Sequence, residues 1–123
     1  MWGNRLVNFS GRGPTAECIV KPDIIAPGSD IISCLTPTYY YEKSPDEINI
    51  VSDNYMKLSG TSMSTPIITG AIALLLEKHG TISPNEIKYM LKHGTTNLNY
   101  PQNQQGWGLI NIEKLISEEV YHV

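Results

Sequence analysis

The feature that most limits how this chain can fold is the segment of residues 67–76, IITGAIALLL, which is apolar on nearly every side. A helix on a protein surface carries apolar residues along one stripe, whereas a helix that is apolar all round is buried. Small residues, Gly70, Ala71 and Ala73, are interspersed among the larger ones. The sequence therefore predicts a central buried helix here.

Short strands are predicted before this helix. Residues 6–9 form an apolar-rich run that ends in the turn residues SGRGP, and residues 23–26 and 30–35 are runs rich in β-branched residues, bounded by proline and glycine. Residues 55–60 form a further strand-like run. Residues 36–54 are polar, with three adjacent tyrosines, and within them only residues 48–51 favour a strand. We interpret residues 36–54 as a surface loop or small insertion.

Two helices are predicted after the apolar segment. The first starts at Ser83, with Pro84 at the first helical position and Glu86 at the capping-box position, and it ends at Gly94. Its apolar positions are Ile87, Met90 and Leu91. Asn111 can cap a last helix, whose apolar positions are Ile112, Leu115 and Ile116. Strands followed by helices in this mixture indicate an α/β or α+β sheet with a central buried helix.

Composition excludes several classes of protein. The 123 residues, 41% of them hydrophobic, suit one compact domain. The 9 basic and 12 acidic residues give a net charge of -3 without a basic run, so we expect no nucleic acid partner. No apolar run is long enough for a membrane span, so we expect no membrane partner, and no signal peptide is recognisable in the chain. Cys18 and Cys34 fit neither a disulfide scaffold nor zinc spacing, and we predict buried free thiols.

The candidate functional residue is Ser62, at the junction between a strand and the start of the apolar helix. Free amides and the positive end of the helix dipole stabilise negative charge at such a point, so a serine there has a partial oxyanion site beside it. A helix cap formed by Thr61 or Ser62 explains the same residues, and an anion site at the helix N-terminus is also physically allowed. Spacing alone does not decide between these functions.

Four blocks of sequence resemble one enzyme family. Residues 60–66, GTSMSTP, are similar to the active-serine motif G-T-S-M-[AS]-[ST]-P of subtilisin-like serine proteases (subtilases, peptidase family S8). Residues 7–13 are similar to the family's F-S-x-x-G loop, residues 21–28 to its K-P-D-[IV]-x-A-P-G segment, and residues 106–111 to its G-x-G-[LVI]-[IVL]-[ND] segment. Residues 36–54 are longer and more polar than in the simplest members.

The resemblance implies an α/β fold: the C-terminal part of a subtilisin-like three-layer domain, with a mostly parallel sheet and a central buried helix after the active serine. Residues 1–123 are then a partial catalytic domain. Ser62 is expected as the nucleophile, with its backbone amide as one oxyanion donor. Gly60, Thr61, Met63 and Pro66 are expected as the supporting motif.

The other catalytic roles are unfilled. Family members place aspartate and histidine before the serine, whereas His79, His93 and His122 all follow Ser62. We therefore expect the catalytic histidine and aspartate outside this chain. The chemistry needs no metal or other cofactor; calcium sites occur in the family, but none of their ligands can be assigned here.

The implied function is hydrolysis of peptide bonds in a peptide or protein substrate, through an acyl-enzyme on Ser62. Without a base the isolated chain is expected to be inactive. The alternative is a protease-derived binding or regulatory module, a pseudoprotease remnant without catalysis.

Loss of packing partners is expected to expose apolar surface, including the 67–76 helix, and to favour homo-oligomers. Many relatives are secreted, but the sequence leaves localisation unknown.

Overall fold

The computed structural model describes residues 5–36, 49–52 and 54–117. Within them, the elements follow in this order: β1 (Ile31–Cys34), β2 (Ile50–Ser52), β3 (Tyr55–Leu58), α1 (Thr61–His79), α2 (Pro84–His93), β4 (Thr95–Thr96), α3 (Gln102–Gln105), β5 (Leu109–Ile110) and α4 (Ile112–Ser117). Most of the predicted loop, residues 37–48 and 53, lies outside the described residues, and so does His122.

Strand pairing is antiparallel in both sheets of the described chain. The three strands of the first sheet follow the order β1-β3-β2, and β4 pairs with β5 in the second. A parallel contact occurs as a single bridge between Ile25 and Leu109. The mostly parallel sheet that the resemblance implies is therefore not formed by these strands. Two residues separate β2 from β3, and so short a connection allows antiparallel pairing only, because parallel neighbours need a long crossover.

The core lies between α1, α2 and α4. Leu75 of α1 and Leu115 of α4 are both 0% exposed. The other buried apolar residues of this cluster are Ala71, Ile82, Met90, Leu91 and Ile110. Gly94 ends α2 directly against α4, because a Cβ atom at Gly94 would lie 2.6 Å from Cδ1 of Leu115. The C-terminal helices are thus held against one side of α1.

The helix α1 is buried on one side only. Ala71 and Leu75 are buried, whereas Leu74 and Leu76 are 40% and 41% exposed. The prediction of a helix over residues 67–76 is confirmed, but the prediction that it is buried all round is wrong for the described chain, because α4 and the neighbouring loops cover one side. The expected exposure of apolar surface on this helix is confirmed.

The local signals for helix ends are confirmed. At the start of α2, the Ser83 amide donates to Oε2 of Glu86 at 2.7 Å and the Glu86 amide donates to Oγ of Ser83 at 3.3 Å, which is a complete capping box. Gly94 ends this helix, with its amide donating to the Met90 carbonyl at 2.8 Å. Asn111 caps α4 by accepting from the Lys114 amide at 2.9 Å.

Some of the predicted strands are formed and others are not. Residues 30–35 and 55–60 contain β1 and β3, and residues 48–51 overlap β2, so these predictions are confirmed in substance. The strand over residues 6–9 is wrong: the amide of Leu6 donates to the Tyr100 hydroxyl, and Ser10 closes a turn onto the Val7 carbonyl, so no strand pairs there. The strand over residues 23–26 is reduced to the bridge at Ile25. The helix α3 was not predicted.

Both thiols are free but exposed, so the prediction of buried thiols is wrong. Cys18 lies at a turn with φ of 62°, where its amide donates to the Thr15 carbonyl. Cys34 lies opposite Tyr55 in the β1–β3 pair, on the face of that sheet that carries exposed side chains. Among the helices of the described residues, none is long and apolar enough to cross a bilayer.

Candidate active site

Ser62 is the second residue of α1, directly after the β3 strand and the Gly60 that precedes the helix. Ser62 is exposed, and within the described chain neither its hydroxyl nor its backbone amide has a hydrogen-bond partner. The first turn of a helix leaves its amides unpaired and carries the positive end of the dipole. The site therefore offers a free hydroxyl beside a free amide donor.

Pro66 changes the backbone around Ser62. An amide at position 66 would bond the Ser62 carbonyl in a regular helix, and proline has no amide hydrogen to give. One residue earlier, the Thr65 hydroxyl donates to the Thr61 carbonyl at 3.2 Å. The Ser62 carbonyl consequently lacks its helical donor, and the first turn of α1 is not held by α1 alone.

A turn from another part of the chain holds this region. We call residues 26–30 the 26–30 turn. The Gly60 amide donates to the Gly28 carbonyl at 2.7 Å, and the Ser64 hydroxyl donates to the Ala26 carbonyl at 3.1 Å. These two contacts lie on either side of Ser62 in the sequence. The position of the nucleophile candidate is thus fixed from both directions by a segment more than thirty residues upstream.

Two further contacts extend the same attachment towards β3. The amide of Asp30 donates to the Ser59 hydroxyl at 2.8 Å, and its carboxylate lies 3.5 Å from Nζ of Lys57. Both charged side chains are strongly exposed, so the ion pair contributes little to stability. The hydrogen bond from the Asp30 amide to the Ser59 hydroxyl is therefore the contact that joins this turn to the end of β3.

Gly28 is required by this close approach. A Cβ atom at Gly28 would lie 2.3 Å from Oγ of Ser64 and 2.8 Å from the carbonyl oxygen of Gly60. A hydroxyl can rotate away from such a contact, but the Gly60 carbonyl belongs to the backbone in front of Ser62. A side chain at Gly28 would therefore push the serine segment out of place.

The other end of the same segment joins the C-terminal motif. The Ile25 amide donates to the Gly108 carbonyl at 3.1 Å, and the Ile110 amide donates to the Ile25 carbonyl at 2.9 Å. Gly106 has φ of 60°, and a Cβ atom there would lie 2.2 Å from the Asp23 carbonyl oxygen. Residues 21–28 therefore pass between the serine motif and residues 106–111.

The fourth motif is attached to the same place. The Gly13 amide lies 2.9 Å from the carbonyl oxygens of both Lys21 and Asn103. The Asn103 side-chain amide donates back to the Gly13 carbonyl at 3.1 Å. All four sequence blocks that resemble the family thus meet in space. Sequence reasoning named each block but could not derive these contacts, because none of them is local.

No imidazole is brought to Ser62 by the described residues. His79 ends α1, and seventeen residues of helix at about 1.5 Å per residue place it roughly 25 Å from Ser62. Its Nε2 atom is buried without a partner in the described chain. Nδ1 of His93 lies 2.8 Å from the Tyr89 carbonyl at the end of α2. Of the predicted site residues, Gly60, Thr61, Ser62, Met63 and Pro66 stand together at the start of α1, without a base.

Metal ligands are not clustered either: within residues 5–36, 49–52 and 54–117, no group of three histidine, cysteine, aspartate or glutamate side chains is placed to hold an ion. The chemistry that the described residues offer here is that of the exposed Ser62 hydroxyl beside a helix N-terminus.

This arrangement and the four motifs define a class of protein, and the chain belongs to the subtilase family. The model of that family, peptidase S8, matches residues 3–108. Among curated proteins, serine protease AprX of Bacillus subtilis (strain 168) is 40% identical over 112 residues, which cover 90% of this chain and 25% of AprX. The C5a peptidase of Streptococcus pyogenes is 32% identical over 134 residues, covering 97% of this chain and 10% of that protein.

Solved structures agree with this assignment. The CspB protease of Clostridium perfringens matches with a TM-score of 0.69 and 29% identity, covering 94% of this chain and 25% of that one. Fervidolysin of Fervidobacterium pennivorans, a keratinolytic enzyme related to subtilisin, matches with a TM-score of 0.63 and 25% identity, covering 77% of this chain and 15% of that one. The α/β fold class is therefore confirmed. The chain spans a quarter or less of the length of each of these relatives.

Proposed function

We propose that this chain provides the nucleophile, Ser62, of a subtilase site that hydrolyses peptide bonds in peptide or protein substrates. The observation that carries the proposal is the exposed Ser62 at the start of α1, with a free hydroxyl and a free amide, between the two hydrogen bonds that join Gly60 and Ser64 to the 26–30 turn. A serine that served only as a helix cap would direct its oxygen to an amide of its own helix, and α1 has no such side-chain cap.

In the proposed reaction the Ser62 Oγ atom attacks the carbonyl carbon of the scissile bond while a base takes its proton. The Ser62 amide donates to the oxygen that becomes negative, and collapse of the tetrahedral intermediate expels the amine, which takes up the proton from the base. Water then attacks the acyl carbon while the base takes its proton, and the Ser62 oxygen leaves as a hydroxyl by taking up that proton, which releases the acid. Gly60 leaves room for the substrate backbone, and Pro66 keeps the backbone after Ser62 free of a regular helical bond.

The base and the aspartate that orients it are proposed to come from outside this chain, because neither His79 nor His93 reaches Ser62. Loss of triad members costs on the order of 10⁴ to 10⁶ in rate in enzymes of this type. We therefore expect the isolated chain to be inactive. Its self-association through exposed apolar surface also stays a prediction.

A second function has one observation in its favour. Without an imidazole at Ser62 in the described residues, the chain can act as a binding or regulatory module that keeps the serine motif but does no catalysis. In that function Ser62 needs no base, and supplying one would produce no activity. The two functions therefore differ in what completion of the site does.

The test is a chimera in which this chain replaces the aligned region of AprX, so that the rest of a subtilase surrounds it. We expect the chimera to cleave an unstructured protein substrate, casein, with a rate that Ser62→Ala lowers at least about 10⁴-fold. The matched control is Thr65→Ala, which removes a nearby hydroxyl that bonds only within α1. A folded chimera whose activity is absent, or is unchanged by Ser62→Ala, would favour the binding module.

A further inference from the structure

The backbone takes a rare conformation at Asp30, directly before β1. Its φ is 54°, in the left-handed region that residues with a Cβ atom seldom adopt, although aspartate tolerates it better than most. Such conformations persist where the surrounding structure holds them, and they are frequent at active sites. Among the described residues, Cys18 and Asn99 also have a positive φ, but the amide of each bonds within its own turn. The Asp30 amide instead bonds Ser59, three residues before Ser62.

The left-handed residue coincides with a shift in strand pairing. The β1–β3 register places Ile31 opposite Leu58. Continued without a break, this ladder would pair the Gly60 amide with the Ser29 carbonyl. The Gly60 amide donates to the Gly28 carbonyl instead, at 2.7 Å. One extra residue is therefore inserted on the β1 side, which makes a β-bulge. Bulges bend a strand and re-aim the residues beside them, and they are over-represented next to active sites.

The Ser59 hydroxyl fixes the backbone at this bulge. Its Oγ atom accepts from the Asp30 amide at 2.8 Å, and no backbone carbonyl of the described residues accepts from that amide. Both residues are exposed, so water can replace the contact and its loss should cost little stability. The contact acts instead on geometry, because it sets the direction in which the chain leaves β3 towards Ser62.

We propose that Ser59 and Asp30 are positioning residues for the reaction at Ser62. This inference rests on the proposed function. The Ser62 hydroxyl and amide must face one substrate carbonyl together, and a displacement of about 1 Å in such a geometry can cost about 10²-fold in rate. Gly60 lies between Ser59 and Ser62 and restricts the backbone less than any other residue, so an outside contact is needed to fix its direction.

The role belongs to one oxygen atom and one backbone conformation. At position 59, threonine keeps the acceptor oxygen, whereas valine has the shape of threonine without it. At position 30, asparagine and glycine tolerate a positive φ, whereas a β-branched residue does not. The carboxylate is not required, because its ion pair with Lys57 spans 3.5 Å between exposed side chains.

The test measures kcat and KM of the AprX chimera on a peptide p-nitroanilide, at a temperature where circular dichroism shows each variant folded. We expect Ser59→Val to lower kcat at least about tenfold with KM within about twofold, and Ser59→Thr to keep both within about twofold of the parent. A purely structural role would lower the midpoint of unfolding and leave kcat of the folded enzyme unchanged. The matched control is Ser33→Val, at an exposed position of β1 where the hydroxyl has no partner among the described residues.

Substitutions at Asp30 test the backbone conformation separately and decide the matter if Ser59→Val does not fold. Asp30→Asn and Asp30→Gly should keep kcat within about threefold, whereas Asp30→Val should lower it at least about tenfold. Equal kcat values for these three variants would contradict the role of the bulge. If neither Ser59→Val nor Asp30→Val folded, the contact would be structural, and the proposal would be overturned.

The outcomes separate this inference from the proposed function. A folded parent chimera without Ser62-dependent activity would contradict the proposed function and this inference together. An active chimera in which Ser59→Val keeps its kcat, or in which Ser59→Thr loses as much as Ser59→Val, would overturn this inference alone. A rise in KM at constant kcat would overturn it as well, because the contact would then act on substrate binding.

Discussion

The Ser64 hydroxyl donates to the Ala26 carbonyl at 3.1 Å, across 38 positions of sequence. This contact attaches the first turn of α1 to the 26–30 turn just after Ser62, at the point where Pro66 deprives the helix of one of its own bonds. The serine segment is therefore positioned by tertiary contacts, and the stability of the site depends on them.

Ser64→Ala should lower the free energy of unfolding by about 1 kcal/mol, because one hydrogen bond is lost and the half-buried Ala26 carbonyl is left unpaired. Thr65→Ala is the matched control, since its hydroxyl bonds within α1, and it should stay within about 0.5 kcal/mol of the parent. Urea denaturation followed by circular dichroism measures both. Equal effects of the two substitutions would mean that the contact to Ala26 does not hold the helix.

Gly28→Ala and Gly70→Ala should act with opposite signs. At Gly28 the added methyl meets Ser64 and the Gly60 carbonyl within 2.8 Å, and overpacking of this kind costs about 1 to 3 kcal/mol. At Gly70 it meets nothing within 4 Å, and alanine in a helix interior is favoured over glycine by about 0.5 to 1 kcal/mol.

The midpoint temperature of thermal unfolding of the isolated chain should therefore rise for Gly70→Ala and fall for Gly28→Ala. A neutral Gly28→Ala would contradict the close approach of the 26–30 turn to the serine segment.

The sequence predicted best the features that depend on contacts between residues close in the chain, such as helix caps and helix ends. The capping box of Ser83 and Glu86, the end of α2 at Gly94 and the cap at Asn111 all depend on contacts within a few residues, and all were confirmed. The resemblance of residues 60–66 to an active-serine motif likewise placed Ser62 at a helix start, and the structure agrees.

The errors concern contacts that the local pattern does not contain. Residues 6–9 have the composition of a strand, but their backbone finds a turn and the Tyr100 hydroxyl instead of a neighbouring strand. The helix α3 has no apolar periodicity, and Gln105 is buried within it because its amide is fully hydrogen-bonded. The contact of the 26–30 turn with Ser64 is equally invisible to spacing.

The buried side-chain amide of Gln105 is held by hydrogen bonds whose contribution to stability can be tested. Its Oε1 atom accepts from the Leu98 amide at 2.9 Å, and its Nε2 atom donates to Oδ1 of Asn97 at 2.9 Å and to the Tyr100 carbonyl. Gln105→Leu leaves these groups without partners and should cost at least about 2 kcal/mol. Exposed Gln102→Leu, in the same helix, should be neutral within about 0.5 kcal/mol. Chemical denaturation measures the free energy of unfolding of both variants. An unchanged value for Gln105→Leu would show that these hydrogen bonds are not needed for stability.

Self-association of the isolated chain is expected because α1 exposes apolar side chains, among them Leu76, which is 41% exposed. Sedimentation velocity should show a mass that grows with concentration, and Leu76→Lys should shift it towards the monomer, because a lysine cannot be buried unpaired between two copies. Lys88→Glu, at an exposed position of α2, is the control. A cooperative monomer at every concentration would contradict this expectation.

The most direct test of the central claim, that Ser62 is a nucleophile completed from outside this chain, is the intact mass after treatment with a fluorophosphonate probe. The account predicts one adduct on the AprX chimera, located at Ser62 by peptide mapping and abolished by Ser62→Ala, and no adduct on the isolated chain under the same conditions. An adduct on the isolated chain, or a folded chimera that is not labelled at Ser62, would contradict it.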